Sequence, residues 1–202
     1  MERRLLVDTL MFQIPREAIN EATNRPDNRF IVKGVVQRAD ALNQNGRVYP
    51  HGILENEANK YKSSYIKEHR AMGELDHPDS SVINLNNVSH NIVDLYWEGK
   101  DLMGVIEVLG TPSGNILKEL FKAGISLGIS SRGLGSVKKE GKNDADYVQE
   151  DFELICWDFV SNPSTQGAFM KPLKEGIEPS KEKCGKWCKI SHIISELLPE
   201  LK

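Results

Sequence analysis

The sequence lacks the features that mark secreted, membrane-spanning and nucleic-acid-binding proteins. It has only three cysteines, Cys156, Cys184 and Cys188, which cannot all pair with one another, so we expect free thiols in a reducing compartment. No apolar run approaches the roughly 20 residues of a membrane span, and the N-terminus has no long apolar stretch typical of a secretion signal. A net charge of −3 disfavours a strongly basic nucleic-acid binder.

The chain nevertheless has enough apolar residues for one globular domain. It has 202 residues, of which 39% are hydrophobic and 27% charged. Residues 1–29 are polar and mixed, and we interpret them as an adaptable N-terminal arm. From residue 172 onward the composition shifts to Lys, Glu, Pro and Gly. A folded domain over 30–172 is therefore expected to end in a polar linker and tail over 173–202, with an amphipathic segment at 187–201.

Hydrophobic periodicity predicts an α+β fold. The strand-like segments are 30–36, 88–97, 102–109, 125–137 and 147–160. Helical spacing occurs at 51–70 and from Pro112 to Gly124, and 138–146 is predicted to be a solvated loop. Because only a short turn separates 88–97 from 102–109, these strands are expected to form a hairpin within a dominant antiparallel sheet or barrel.

His77 is the histidine with the most unusual local sequence. It stands in Gly-Glu-Leu-Asp-His-Pro, where the glycine and the proline fix a turn and aim the imidazole from a rigid loop. Both a general base and an ordinary surface histidine fit this pattern. His90 alternates with Val88 and Ile92 in a strand, which favours a core histidine there.

A glycine-rich strand carries a candidate nucleophile. Extended alternation over 128–133 places Ser130 on the face of Gly128 and Arg132, whereas Ser131 shares the apolar face. A nucleophilic serine needs a nearby base and a site for the developing oxyanion, where Arg132 is a suitable cation. The alternative is a glycine-rich strand with an ion-paired arginine.

Asp158 is the candidate for a carboxylate that orients a histidine. It stands in the apolar run 152–160, where burying a carboxylate without a partner is costly. A histidine is a natural partner, because the carboxylate fixes its orientation and stabilises its cation. The alternative is an exposed strand end. Cys156, in the same run, is expected to be a small buried apolar group.

The sequence favours no metal centre. Cys184, Cys188 and His192 are spaced four residues apart, which on a helix gives one stripe and not the tetrahedral cage of structural zinc. A metal-binding protein that uses those residues, or His77 with Asp76 and His90, is kept as an alternative.

Taken together, these motifs resemble a known family. The segments around His77, Ser130 and Asp158, with Asn43 to Pro50 ending in Gly-Arg-Val-Tyr-Pro, resemble the prohead core proteases of myovirus-type tailed phages, within the herpesvirus assemblin-like serine protease clan. The resemblance covers about residues 30–172.

The resemblance implies a fold and a catalytic apparatus. The fold would be a compact antiparallel β-barrel ringed by helices. The nucleophile would be Ser130, the general base His77 and the third member Asp158, with His90 in reserve. The residues at the oxyanion and substrate site would be Ser131, Arg132 and Gly133. No metal or organic cofactor is required.

The resemblance also implies substrates, partners and a location. The enzyme would act as an endopeptidase inside the prohead, which assembles in the host cytoplasm, on scaffold or core proteins and the major capsid protein. It would be a homo-oligomer made as a zymogen, with no nucleic-acid or membrane partner, cutting after Glu in Leu/Ile-x-Glu contexts. Matches in exposed segments predict self-cleavage after Glu175 and Glu21. The alternative is a non-catalytic capsid-assembly or scaffold module on the same fold.

Overall fold

Ten β-strands and three α-helices make up the part of the chain that the computed structural model describes, residues 2–76, 78, 80–140 and 145–161. The strands are β1 (Arg4–Phe12), β2 (Phe30–Arg38), β3 (Arg47–Val48), β4 (Met72–Glu74), β5 (Val88–Glu98), β6 (Asp101–Val108), β7 (Leu127–Gly135), β8 (Val137–Glu140), β9 (Ala145–Val148) and β10 (Glu153–Val160). The helices are α1 (Arg16–Thr23), α2 (His51–Tyr61), continued by a π-helical turn (Lys62–Ile66), and α3 (Pro112–Lys122). None of these helices is long and apolar enough to cross a membrane.

The strands form three sheets that are mostly antiparallel. One has the order β1-β7-β10, a second β2-β6-β5-β4, and a third β3-β9-β8, in which β3 and β9 are parallel. The predicted α+β class with mainly antiparallel pairing is confirmed. The described strands are divided among three sheets and do not form a single closed barrel.

The turn and helix ends that the local sequence predicts are confirmed at the β5–β6 hairpin and at α3. β5 and β6 form the predicted hairpin, and Gly99 supplies the positive φ of 61° in its turn. Helix α3 begins at Pro112, where the Thr111 side chain accepts a hydrogen bond from Gly114 N at 3.0 Å. Gly124, with a φ of 72°, follows its last turn.

The N-terminal segment is not an adaptable arm, because it forms a strand of the first sheet and a helix. β1 pairs antiparallel with β7 along its whole length, with Thr9 opposite Ser130. Leu6 and Phe12 are buried in the core. The local sequence does not show this, since the strand is specified by contacts with residues more than a hundred positions away.

Two further boundaries differ from the sequence expectation. The segment predicted as a solvated loop contains the β8–β9 hairpin, of which residues 141–144 lie outside the described part. Residues 147–160, for which the pattern fits either a hairpin arm or one long strand, are divided between β9 and β10, which belong to different sheets. The predicted domain end at 172, the tail over 173–202 and the amphipathic segment lie outside the described residues.

Gly133 in β7 is required by close packing, as the run of glycines in this strand predicts. The Phe152 ring lies directly on it, so an added Cβ would be 2.3 Å from Phe152 Cε2 and 2.8 Å from the carbonyl oxygen of Glu153. A residue with a side chain fits here only if the aromatic ring or β10 moves.

We therefore expect Gly133→Ala to lower the free energy of unfolding by about 1–3 kcal/mol through overpacking. The matched control is Gly52→Ala in the first turn of α2, where an added Cβ meets nothing within 4 Å. There alanine is expected to stabilise the helix by about 0.5–1 kcal/mol. Urea denaturation of both variants measures the difference, and equal effects would contradict the packing explanation.

Candidate active site

Ser130 lies on the central strand of the first sheet. In the register, Thr9 of β1 is opposite it on one side and Asp158 of β10 on the other. Directly opposite residues of neighbouring strands project from the same face, so these three side chains form a row. Ser130 has no exposed surface in this structure.

The predicted alternation along β7 is confirmed. Ser130 Oγ accepts a hydrogen bond from Thr9 Oγ1 at 3.2 Å, and Arg132 reaches Asp158 on the same face. Ser131 projects from the opposite face, where its Oγ donates to the carbonyl oxygen of Asp8 at 3.3 Å. Ser131 is only 1% exposed, so both faces of the strand are covered.

Arg132 is fully buried between two carboxylates. Its Nε lies 2.6 Å from Asp158 Oδ2, and its Nη2 donates to Glu74 Oε1 at 2.7 Å. Its Nη1 donates to the carbonyl oxygen of Ser80 at 2.8 Å. Both carboxylate side chains are also 0% exposed. A buried charge needs such partners, and here all three guanidinium nitrogens contact oxygen atoms.

Asp158 is therefore buried and paired, and the exposed-strand-end interpretation is wrong. Besides Arg132, its Oδ1 accepts from the backbone N–H of Glu74 at 2.9 Å and lies 3.5 Å from Cys156 Sγ. Burial raises the pKa of the Asp158 carboxyl, and the charge of Arg132 opposes that shift. Burial likewise raises the pKa of the Cys156 thiol, in keeping with a small buried group.

His77 itself lies outside the described residues, but the chain just before it is well anchored. The backbone N–H of Asp76 donates to the carbonyl oxygen of Phe159 at 2.7 Å, and Leu75 forms a parallel bridge with Phe159. Asp76 has a positive φ of 62°, an uncommon conformation for a non-glycine residue. The residue that precedes His77 is thus bonded to β10, the strand next to that of Ser130.

His90 is the buried histidine that its alternation pattern predicted. Its Nε2 is 3.1 Å from the carbonyl oxygen of Trp157, and its Nδ1 is 2.9 Å from Ser89 Oγ. The carbonyl can only accept, so Nε2 carries the proton and Nδ1 accepts from the serine. Burial lowers the pKa of His90 to about 3, which keeps the ring neutral.

The Asn43–Pro50 motif has a structural role. Three of its side chains converge on the buried Asp8 of β1: Asn45 Nδ2 at 2.7 Å, Arg47 Nη1 at 3.0 Å, and the hydroxyl of Tyr49. Asn43 Oδ1 closes the turn by accepting from the backbone N–H groups of two of them. The motif therefore fixes β1, and with it Thr9, against β7.

Sequence reasoning missed three residues of this site. Thr9 and Asp8 gave no signal, because they lie in a segment without a clear pattern. Glu74 belongs to the Gly-Glu-Leu-Asp-His-Pro motif, but the motif does not show that this residue is a counter-ion of Arg132.

The remaining candidates are distributed as follows. Glu21 lies inside α1 and the adjacent Ala22 is 5% exposed, so this bond is helical and not extended. Glu175, Cys184, Cys188 and His192 lie outside the described residues. Within the described part of the chain, no group of three or more His, Cys, Asp or Glu side chains is placed to hold a metal ion.

Comparisons with known proteins identify relatives of this chain in sequence and in fold. The family described as prohead core protein serine protease matches residues 8–181. The prohead core protein protease of Enterobacteria phage T4 is 32% identical over 144 residues, which cover 70% of this chain and 68% of that protein. The solved structure of the bacteriophage T4 capsid assembly protease, gp21, has a TM-score of 0.70 at 27% identity, covering 79% of this chain and 99% of that one. Both the sequence and the fold of this chain are thus similar to those of phage T4 proteases.

Arg132 is the cation that pairs with both buried carboxylates, Glu74 and Asp158. We therefore expect Arg132→Met to lower the free energy of unfolding by about 3–5 kcal/mol. The control is Arg29→Met, which breaks an exposed ion pair with Glu107 and should cost at most about 1 kcal/mol. Urea denaturation at neutral pH compares them. A cost for Arg132→Met as small as that of the control would show that the buried network is energetically dispensable.

His90 should make the fold sensitive to acid. Its pKa is about 3 when folded and 6.5 for an ordinary histidine, so between these values the unfolded chain binds a proton that the folded protein does not. Stability should fall as pH falls through this window, by up to about 1.4 kcal/mol per pH unit. Denaturation between pH about 6.5 and 5 should show a shallower dependence for His90→Gln than for the wild type. His51→Gln, at a histidine whose side chain is only partly buried, serves as the control, and an unchanged slope in His90→Gln would contradict the assignment.

Proposed function

Since this chain belongs to the prohead core protein serine protease family, we propose that it is a serine endopeptidase of phage head maturation. The membership confirms the family that the sequence motifs predicted. The two phage T4 relatives are named as a prohead core protein protease and a capsid assembly protease. By analogy, the substrates of this chain are scaffold or core proteins and the major capsid protein. It acts inside the prohead, which assembles in the host cytoplasm.

One observation carries the proposal for the site. Ser130 stands in a row with Asp158, and the residue before His77 is hydrogen-bonded to the strand that carries Asp158. Adjacent strands lie about 4.8 Å apart, so the anchored end of the His77 turn is separated from the Ser130 strand by only one strand. This arrangement supports Ser130 as nucleophile and His77 as its base.

The proposed chemistry is acyl transfer. Neutral His77 accepts the Ser130 proton while Oγ attacks the scissile carbonyl carbon, and the resulting imidazolium protonates the leaving amine. Water then hydrolyses the acyl-enzyme with the same base. Ser131 and Gly133 are proposed to line the oxyanion and substrate site through their backbone, together with Arg132, whose guanidinium lies on the Ser130 face.

Asp158 is proposed as the third member of the apparatus. It is buried opposite Ser130 and anchored by the Glu74 N–H, which supports a carboxylate held in a fixed position beside the proposed nucleophile. His90, the reserve candidate, is less suitable, since both of its ring nitrogens are already hydrogen-bonded to other groups.

The complete burial of Ser130 supports a zymogen. A nucleophile must be reached by a peptide, and Ser130 is 0% exposed in the 202-residue chain. We propose that a cut after Glu175 activates the enzyme. The second proposed cut, after Glu21, requires α1 to open first, because a protease needs an extended segment. A homo-oligomeric state and a relationship to the herpesvirus assemblin-like proteases belong to the same proposal.

The alternative is a non-catalytic capsid-assembly module in which Ser130 is only a packing residue. Its buried position in the centre of a sheet is compatible with that role too. Peptide cleavage that requires the Ser130 hydroxyl distinguishes the endopeptidase from the non-catalytic module.

We expect the purified wild-type protein to release a product ending at Glu175 and to cleave a peptide containing Ile-x-Glu after the glutamate. Ser130→Ala should do neither, because it lacks the attacking oxygen. The matched control is Ser131→Ala, which removes an equally buried hydroxyl from the opposite face and should retain substantial activity. Mass spectrometry over time follows both reactions. Cleavage that persists in Ser130→Ala would disprove the serine mechanism, and the reverse ranking of the two variants would move the nucleophile to Ser131.

A further inference from the structure

We propose that Thr9 is a positioning residue for the Ser130 nucleophile, an inference that rests on the function proposed above. Thr9 lies directly opposite Ser130 in the register between β1 and β7. Its hydroxyl donates to Ser130 Oγ at 3.2 Å. The residue therefore touches the atom that is to attack the substrate, although it lies 121 positions away in the sequence.

The Thr9 side chain is held in place from two directions. Its methyl group lies over Gly128, where an added Cβ would be only 2.9 Å from Thr9 Cγ2. Threonine is branched at Cβ, so fixing the methyl group also fixes the hydroxyl. The preceding residue, Asp8, is clamped by Arg47 and Tyr49, which prevents β1 from sliding along β7.

The direction of this hydrogen bond has a chemical consequence. Because Thr9 donates, Ser130 Oγ uses a lone pair to accept and its own proton remains available to a base. When that proton leaves, negative charge develops on Oγ. A donor that is already in place then binds the charged oxygen more strongly than the neutral one, especially in a buried site.

Thr9 could instead have a purely structural role, in which only its methyl group matters. Two conservative variants distinguish this packing role from the positioning role. Thr9→Val keeps the methyl group over Gly128 and removes the hydroxyl. Thr9→Ser keeps the hydroxyl and removes the methyl group. If the hydroxyl positions and activates Ser130, valine is the more damaging change; if Thr9 only packs, serine is.

The experiment measures kcat and KM for peptide cleavage by the wild type, both Thr9 variants and Ser130→Ala, with urea denaturation of each. We expect Thr9→Val to lower kcat by about 10–100-fold with KM changed less than about threefold. Thr9→Ser should stay within about threefold of the wild type in kcat. The rate of covalent labelling by a fluorophosphonate should follow the same order, because that reaction requires the same oxygen.

The outcomes distinguish the two proposals. Cleavage that requires Ser130, combined with a wild-type kcat in Thr9→Val, would overturn the role of Thr9 and leave the proposed function intact. A larger loss in Thr9→Ser than in Thr9→Val would overturn it in favour of packing. A wild type without cleavage that depends on Ser130 would overturn both. If Thr9→Val does not fold, the prediction is carried by Thr9→Ser, whose kcat must then remain near that of the wild type.

Discussion

The burial of one guanidinium is the constraint on which the site depends. Arg132 has no exposed surface and is neutralised by Glu74 and Asp158, which come from two other strands. A lone buried charge would be prohibitively costly, so β4, β7 and β10 can assemble only in a register that brings these three side chains together. The same guanidinium donates to the carbonyl oxygen of Ser80 and so ties that residue to β7.

The described residues of the Gly-Glu-Leu-Asp-His-Pro motif have structural roles. Gly73 lies so close to His90 and the Trp157 carbonyl that a side chain would collide with both. Glu74 supplies a counter-ion to Arg132, and Asp76 bonds to β10 in a left-handed conformation. Gly73, Glu74 and Asp76 therefore hold the chain just before His77 in place. This explains why the whole motif is more specific than a single histidine.

The N-terminal strand places a second set of constraints on Ser130. β1 supplies the Thr9 hydroxyl to Ser130 and Asp8 to the cluster formed by Asn45, Arg47 and Tyr49. The Asn43–Pro50 motif thus acts through structure, since it fixes the strand that lies beside Ser130. Ser130 lies between β1 and β10 on the central strand of its sheet. Its position therefore depends on all three strands and not on β7 alone.

Local sequence determined those features whose cause is local. The β5–β6 hairpin follows from its turn, α3 from its cap and periodicity, and the faces of Ser130 and Ser131 from strand alternation. The family was identified by the resemblance of the sequence motifs, in their order along the chain, to those of a known family. Tertiary structure alone decided that β1 is a sheet strand and that Asp158 is paired with Arg132. Those outcomes depend on partners far away in the chain, and no local propensity encodes a contact between residues that only the folded sheet brings together.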